Sequence, residues 1–370
     1  MQRIFIFSLI LVTPLIILGC GGFGGGGTLP PAAGPPTLFS YNDGTTGAEL
    51  GISDGTEAGT VLLRDIFPGA TSSRPSINHF YGIVKVGDVY YFRADTDLGE
   101  ELWKTDGTAA GTVLVKDIGI NGDSSPYHLV AIGSTVYFRA SSMGNGIELW
   151  KSDGTDAGTV MVKDIWPGSM SSFTSKLTVA GTTLFFSAAD GVNGIELWKS
   201  DGSEIGTVMV KDINVGGDSK PYMPFALGNT LYFCADDGIA GEELWKSDGT
   251  NAGTVMVKDI NPGANSSIEG LQFVTIGNTF YFRANDGTNG LELWKSDGTA
   301  VGTVLVKDIN PGPASSEVYY QKAMGNRGLF FGANDGTHGC EPWISDGTEI
   351  GTFMIKDCWP GTGDGFGYGF

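Results

Sequence analysis

The sequence has little positive charge, few histidines and few cysteines. Its 370 residues include 41 Asp and Glu against 22 Lys and Arg, which gives a formal net charge of −19, and only 3 His and 4 Cys. A chain this acidic repels phosphate backbones and anionic lipid surfaces, so we do not expect nucleic-acid binding. The histidines, His79, His128 and His338, match no metal-ligand spacing and are expected to be solvated or packed.

Catalytic and nucleotide-binding motifs are also missing. The sequence has no nucleophile elbow, no Walker loop, no H-E-x-x-H pair and no D-x-D-x-D-G run. We therefore assign no catalytic residue, no metal ligand and no cofactor. Calcium stays open as an alternative, because carboxylates and backbone oxygens crowd the turn sequences.

The long apolar run is confined to residues 1–20. The stretch from Ile4 to Leu18 is apolar-rich and ends in "ILGC". In a helix it covers roughly 22 Å, which is short of a bilayer core, so a signal peptide is a better interpretation than a transmembrane helix. Gly19 before Cys20 resembles a bacterial lipoprotein signal, which implies that Cys20 becomes a lipidated N-terminus. An ordinary secretory leader and an uncleaved anchor are the alternatives.

Residues 21–36, "GGFGGGGTLPPAAGPP", read as a tether. They have no periodic apolar face, and glycine and proline favour a flexible or extended spacer over packed structure. In lipoproteins, an acidic residue after the cysteine favours inner-membrane retention, and this chain has Gly21 there. The resemblance thus implies an outer-membrane or cell-surface lipoprotein that contacts the membrane only through its lipid, with secretion as the alternative.

One octapeptide recurs through residues 37–370. "ELWKSDGT" begins at Glu148, Glu196, Glu243 and Glu292, with variant copies at Glu49, Glu101 and Glu341. The residues at the tryptophan position are Gly51, Trp103, Trp150, Trp198, Trp245, Trp294 and Trp343, at spacings of 52, 47, 48, 47, 49 and 49. A period near 48 is typical of propeller blades.

Each repeat predicts four short antiparallel strands. The sixth predicts strands at residues 271–277, 279–284, 291–297 and 303–309, and Gly277-Asn278 predicts a tight hairpin between the first two. Since no helical period occurs, we expect an all-β fold: a seven-bladed β-propeller of four-stranded antiparallel blades. The first unit starts at Thr37 without an innermost strand, so closure by the N-terminal segment and "GFGYGF" (365–370) is expected.

The repeated tryptophans predict blade docking, since a large apolar plate on a strand is stabilised by burial against the neighbouring blade. These motifs make the chain similar to bacterial ELWxxDGT-repeat proteins, over essentially all of residues 37–370. That resemblance implies an extracytoplasmic propeller and no agreed activity. "ANDGTNGLELW" (284–294) also resembles the tryptophan-docking motif of quinoprotein propellers, which is a structural device there.

The repeated glutamates are expected to be structural, because sevenfold copies pointing outward around a ring do not form a catalytic carboxylate pair. Turn capping and pairing with the lysines of "VKD" are the two roles considered. Cys340 and Cys358 sit opposite each other, as a possible disulfide, if the last hairpin is symmetric about Glu349. A register shifted by one residue places them on opposite faces.

Function is expected where the repeat varies, in the links between units. These links carry aromatic residues that either form a binding surface for protein or carbohydrate or fill gaps between blades: Tyr127, Trp166, Tyr222, Tyr319 and Tyr320. We therefore expect a cell-surface binding or adhesion module. An envelope enzyme, quinoprotein-like or a lyase, with a site in the central channel is the alternative, although Lys85, Gln272 and Lys322 are the only long polar residues read on the innermost strands.

Overall fold

The computed structural model describes residues 36–77, 82–120, 122–172, 175–268 and 273–367. The signal peptide with Cys20, residues 21–35 of the tether, His79 and Gln272 lie outside these ranges. In the described part, every element is a strand except one 3-10 helix, Gly325–Arg327. That part also holds no helix long and apolar enough to span a membrane.

The strands form seven sheets, numbered here as blades 1 to 7 in chain order. The strands of blades 1 to 4 are β1 (Thr37–Asn42), β2 (Ala48–Ser53), β3 (Val61–Arg64); β4 (Ile83–Val86), β5 (Val89–Thr96), β6 (Gly99–Thr105), β7 (Val113–Lys116); β8 (Tyr127–Ile132), β9 (Thr135–Ser142), β10 (Gly146–Ser152), β11 (Val160–Lys163); β12 (Ser175–Ala180), β13 (Thr183–Ala189), β14 (Ile195–Ser200) and β15 (Val208–Lys211).

Those of blades 5 to 7 are β16 (Tyr222–Leu227), β17 (Thr230–Asp236), β18 (Glu242–Ser247), β19 (Val255–Lys258); β20 (Val274–Ile276), β21 (Thr279–Asn285), β22 (Leu291–Ser296), β23 (Val304–Lys307); β24 (Tyr319–Ala323), β25 (Leu329–Asn334), β26 (Cys340–Ser345) and β27 (Phe353–Met354). Six sheets have four strands and blade 1 has three, always in sequential order. Sequential antiparallel sheets of this kind fit a seven-bladed propeller.

The predicted strands and hairpins of the sixth repeat are confirmed. Ile276 pairs with Thr279, so Gly277 and Asn278 form the two-residue turn. Gly277 has a φ of +63°, a conformation that glycine adopts without steric cost. Blade 1 lacks an innermost strand, as the sequence indicated. Residues 368–370, the expected replacement, lie outside the described ranges, and residues 365–367 form no strand.

Consecutive blades pack face to face through buried apolar clusters. Between blades 6 and 7, Tyr281, Leu293 and Val306 of blade 6 pack with Phe331 and Trp343 of blade 7. The five junctions before this one repeat the arrangement. The tryptophans are only 5–8% exposed, as a docking role requires: Trp103, Trp150, Trp198, Trp245, Trp294 and Trp343.

The lysines of the repeat link neighbouring blades. Lys295 Nζ donates to Gly347 O at 2.7 Å, and Lys307 Nζ donates to Thr352 O at 2.8 Å. Lys307 Nζ also lies 5.8 Å from the centre of the Trp343 ring, where the cation is attracted by the ring face. The expected pairing of these lysines with the repeat glutamates is therefore wrong, because the ammonium groups reach carbonyls of the next blade instead.

A closed ring would have a seventh junction, between blades 7 and 1, and the two faces that would meet there differ from those at the six junctions described above. Ile355 is 49% exposed, whereas Val306 at the same position of blade 6 is 5% exposed. On blade 1, Phe39 is half-buried, and Gly51 stands where the other blades have tryptophan. No buried cluster in the described ranges combines residues of blades 7 and 1. Both blade faces at this junction are thus apolar and partly open.

The possible disulfide between Cys340 and Cys358 is not formed in this structure. Both cysteines are free, with Cys340 buried and Cys358 exposed. The last hairpin pairs Trp343 with Met354 and Ile344 with Phe353. This is the register shifted by one residue, and its pairing ends before either cysteine is reached.

Replacing Trp294 with alanine tests the docking role. Because Trp294 is 5% exposed between two sheets, Trp294→Ala is expected to lower the free energy of unfolding by about 3–5 kcal/mol. Trp359→Ala is the matched control. Since Trp359 is 64% exposed, the change should stay within about 0.5 kcal/mol. Urea unfolding followed by circular dichroism measures both. Equal losses in the two variants would contradict the docking role.

Candidate functional site

The repeat glutamates are buried acceptors, not outward-facing groups. Glu292 is 0% exposed. Its Oε2 accepts a hydrogen bond from Ile309 N at 3.0 Å, and its Oε1 accepts one from Ser316 N at 3.0 Å. Glu49, Glu148 and Glu341 make the same pair of contacts to the segment that follows their own blade. The capping role is supported, and these carboxylates are already used by the backbone.

The turn aspartates are used locally as well. Asp297 Oδ1 accepts hydrogen bonds from Thr299 N at 2.8 Å and Thr299 Oγ1 at 2.7 Å. A Cβ on Gly302 would lie 2.1 Å from the same oxygen, so the motif needs glycine there. Within the described ranges, no group of three or more Asp, Glu, His or Cys side chains could hold a metal ion. The repeat motif thus builds turns.

The links between blades lie at one end of the sheets, together with the turns between second and third strands. Links such as residues 308–318 and turns such as residues 286–290 make up what we call the crossover face. Asn261, in the link after blade 5, lies against Gly287 in the turn of blade 6, since a Cβ there would meet Asn261 Oδ1 at 2.6 Å. Trp166 lies against Gly191 in the same way. This face gathers the least repetitive residues.

Most of the predicted surface aromatics on this face are half-buried. Tyr127 lies near two guanidinium groups, with Arg93 Cζ at 5.4 Å and Arg139 Cζ at 5.0 Å from its ring centre. Trp166 is half-buried against the turn of blade 4. For these two residues the geometry supports packing between blades rather than an open binding surface.

The tyrosines of blades 5 and 7 divide into buried and exposed. Tyr222 Oη donates to Glu242 Oε2 at 3.1 Å, and Tyr319 lies under Arg283, whose Cζ is 5.7 Å from the ring centre. Tyr320 is 45% exposed. Among the five predicted aromatics, Tyr320 therefore offers the most open side chain.

Trp359 is an exposed aromatic residue that the sequence reasoning did not select. Its side chain is 64% exposed and lies against Gly363, whose Cβ would meet the indole ring at 2.8 Å. It follows the "KD" aspartate of its repeat at the same offset as Trp166, so the alignment of repeats held the signal. With Tyr320, it adds a second open aromatic side chain from blade 7.

The innermost strands have a charge opposite to that of the whole chain. They lie beside one another, β4 with β8, β8 with β12, β12 with β16, and β20 with β24. None of the six described innermost strands contains Asp or Glu, and three carry exposed lysines: Lys85, Lys176 and Lys322. Lys176 was not selected from the sequence, whereas Lys85 and Lys322 were. The charged side chains of the described innermost strands are therefore positive, within a chain whose net charge is negative.

A cationic cluster forms where β8 and β12 begin. Lys176 N donates to His128 Nδ1 at 3.1 Å, and the rings of Tyr127 and His128 have centres 4.7 Å apart. Burial lowers the pKa of His128 to about 4, with further lowering by the positive charges of Arg139 and Lys176. His128 is therefore neutral at physiological pH and does not add to the charge of the cluster.

The comparisons with known proteins yield no family. No protein-family model and no curated protein matches the chain. Solved structures that match include a puromycin hydrolase mutant complexed with PGG (14% identity, TM-score 0.44, covering 87% of this chain and 52% of that one). Others are a puromycin-hydrolyzing peptidase from Mycobacterium tuberculosis (12%, 0.44, 88% and 52%) and TolB from Acinetobacter baumannii (11%, 0.37, 74% and 63%).

The chain spans about half the length of the two hydrolases. At these identities and scores, the neighbours assign no activity to it. The fold assignment rests on the strand order and packing of this chain.

The buried glutamates predict a pH dependence of stability. Burial raises the pKa of Glu148, Glu243 and Glu292 from the ordinary value of 4.5 to about 7. The folded chain then keeps protons that the unfolded chain releases, and stability falls with pH wherever the folded state binds more protons. Through these residues, the free energy of unfolding should decrease from pH 4.5 to about 7 and then level off.

Urea unfolding at intervals between about pH 4.5 and 8 measures this slope. Glu292→Gln is the matched variant, because it removes one titrating group and should make the decrease shallower. Hydrogen bonds from Thr299 lower the pKa of Asp297, so its contribution is lost only as pH falls below the ordinary 3.8, outside this window. A free energy of unfolding that stays level or rises from pH 5 to pH 7, and that Glu292→Gln leaves unchanged in slope, would contradict the raised pKa values of the buried glutamates.

Proposed function

We propose that the chain is an exported seven-bladed β-propeller, anchored at the outer membrane or cell surface through lipidated Cys20, that binds protein or carbohydrate partners. The leader, the tether of residues 21–36 and the folded body form a coherent order for such a protein. The crossover face is the proposed binding surface, with Tyr320 and Trp359 as its open aromatic contacts. Exposed aromatic residues of this kind often dominate binding energy.

One observation carries this proposal: the repeated charged residues are used by the fold itself. Glu292 binds backbone amides, Lys295 binds a carbonyl of the next blade, and Asp297 closes its own turn. Binding chemistry is then left to the residues that differ between blades. These concentrate in the links and on the innermost strands, and the six described innermost strands carry no Asp or Glu.

The proposed fold also includes closure of the ring between blades 7 and 1. The junction between blades 7 and 1 presents two apolar faces, with Ile355 and Cys358 exposed on one and Phe39 and Tyr41 half-buried on the other. Their counterparts elsewhere pack together, as Val306 and Ala333 do. We propose that blade 7 packs against blade 1 and that residues 368–370 supply the innermost strand of blade 1.

Cells that produce the full chain test both the anchoring and the binding. Wild-type protein should take up labelled fatty acid, sediment with the outer membrane and capture glycans or envelope proteins from a defined panel. Cys20→Ser should lose the label and move to the soluble fraction, because the acyl chains provide the membrane affinity. Trp359→Ala and Tyr320→Ala should each weaken capture by about tenfold, the cost of losing one aromatic contact.

Val301→Ala is the matched control for capture. Val301 is 90% exposed but lies in the turn between the third and fourth strands, at the end opposite the crossover face. Its replacement should leave capture unchanged. Capture that survives loss of both aromatic residues would remove the crossover face from the proposal, and fatty-acid labelling of Cys20→Ser would remove the anchor.

A further inference from the structure

Arg139 carries a positive charge that the described contacts leave unpaired. It belongs to the "YFRA" strand of blade 3, and its equivalents Arg93 and Arg283 have polar partners. Arg93 Nε lies 3.0 Å from Glu100 Oε1, and Arg283 Nη1 donates to Val318 O at 3.2 Å. Among the described residues, the contact found for the half-buried guanidinium of Arg139 is the ring of Tyr127.

Leaving such a group half-buried without an acceptor is costly. A guanidinium has five N–H donors and stays charged in proteins, and a charge removed from water needs a partner. Burial lowers the pKa of Arg139, with a further contribution from the positive charge of Arg93. No carboxylate contributes to this shift. An anion at this place would relieve the unfavourable environment.

A second cation, Lys176 of the next blade, lies near the same histidine as Arg139, since the positive charges of both residues lower the pKa of His128. Lys176 lies at the start of β12, is exposed, and is tied to blade 3 by the bond from its backbone N to His128 Nδ1. Its φ of +44° is unusual for a residue with a side chain, and the φ of His128 is +56°. These conformations place Lys176 and His128 side by side across the junction of blades 3 and 4.

The surroundings favour a compact anion over an extended one. The chain carries a net charge of −19, so a long polyanion meets repulsion along the body of the molecule. The described innermost strands carry lysines and no carboxylates, so the local charge there attracts a small anion. Glu242, near the following blade junction, accepts the hydroxyl of Tyr222 and is occupied there.

We propose that a compact anion, the carboxylate or phosphate group of a small molecule, binds between Arg139 and Lys176 at the centre of the crossover face. The planar guanidinium offers a two-pronged contact to such a group, and the ammonium adds a second charge. This inference names the ligand chemistry of the proposed binding function and rests on it. It concerns the junction of blades 3 and 4, whereas the exposed aromatic residues belong to blade 7.

Titration calorimetry on the purified full chain in detergent tests the proposal, with glucuronate, inorganic phosphate and neutral glucose as probes. At least one anion should bind and glucose should not. Arg139→Ser and Lys176→Gln should each weaken the anion by about tenfold or more, the cost of losing a charge-assisted hydrogen bond. The chain itself shows that serine is tolerated at this position, since Ser187 occupies it in blade 4.

Arg283→Gln is the matched control, because it changes the same repeat position in blade 6 and should leave anion affinity unchanged. Lys176→Gln, an exposed change, keeps the test valid if Arg139→Ser unfolds. Preference for glucuronate or for phosphate identifies which group is recognised, and either supports the site. The proposal is overturned if neither anion binds, if glucose binds equally, or if Arg283→Gln is as harmful as Arg139→Ser. These measurements use no cells, so they fail independently of surface display.

Discussion

The packing of one indole ring from each of blades 2 to 7 into the sheet of the preceding blade is the interaction on which the structure depends. A single four-stranded sheet of this size has two apolar faces and cannot bury both. Packing between blades buries these faces: Trp343 of blade 7 packs against Leu293 and Val306 of blade 6. Stability in such arrays is approximately the sum of the individual units and their nearest-neighbour interfaces. Blade 1 has Gly51 at the tryptophan position, so a ring closed between blades 7 and 1 would lack this contact at that junction.

Polar contacts add directional hydrogen bonds to the apolar packing between blades, and so hold the links and neighbouring sheets in place. The buried carboxylate of each repeat glutamate holds the link that follows its own blade, and the repeat lysines reach into the next blade. Both sets are engaged by the fold: Glu292 accepts hydrogen bonds from amides of the link, and Lys295 donates to a carbonyl of the next blade. A buried carboxylate is tolerable because several donors surround it. The result is a scaffold whose repeated residues serve architecture, so the residues that break the repeat can serve binding.

Much of the fold could be predicted because its signals are local. The two-residue turn at Gly277, the alternation along each strand and the spacing of the tryptophans lie within one repeat. The role of the glutamates could not be predicted in this way, because the backbone amides that donate to Glu292 come 17 and 24 residues later in the chain. The hydrogen bonds from the lysines to carbonyls of the next blade could not be predicted either, because the partners are distant in the sequence. Symmetric pairing of Cys340 with Cys358 failed because the register of the last hairpin is set by side-chain packing.

The candidate site was less predictable than the fold. Exposed Trp359 could have been found by aligning it with Trp166, but the exposure of each ring depends on its surroundings in the folded chain. Arg139 and Lys176 come from different blades, and only the assembled sheets bring them to the same junction. The excess of acidic residues in the whole chain also concealed the positive centre, because the lysines of the innermost strands are few.

Cross-linking across the junction of blades 7 and 1 tests the central claim most directly. In a chain whose four native cysteines are replaced by serine, Ile355→Cys and Tyr41→Cys should form a disulfide on mild oxidation, detected by peptide mass spectrometry. Val306→Cys with Ala333→Cys is the reference pair, since those residues share a buried cluster. A closed array predicts similar yields for the two pairs. Efficient cross-linking of the reference pair alone would show that the seven blades do not close.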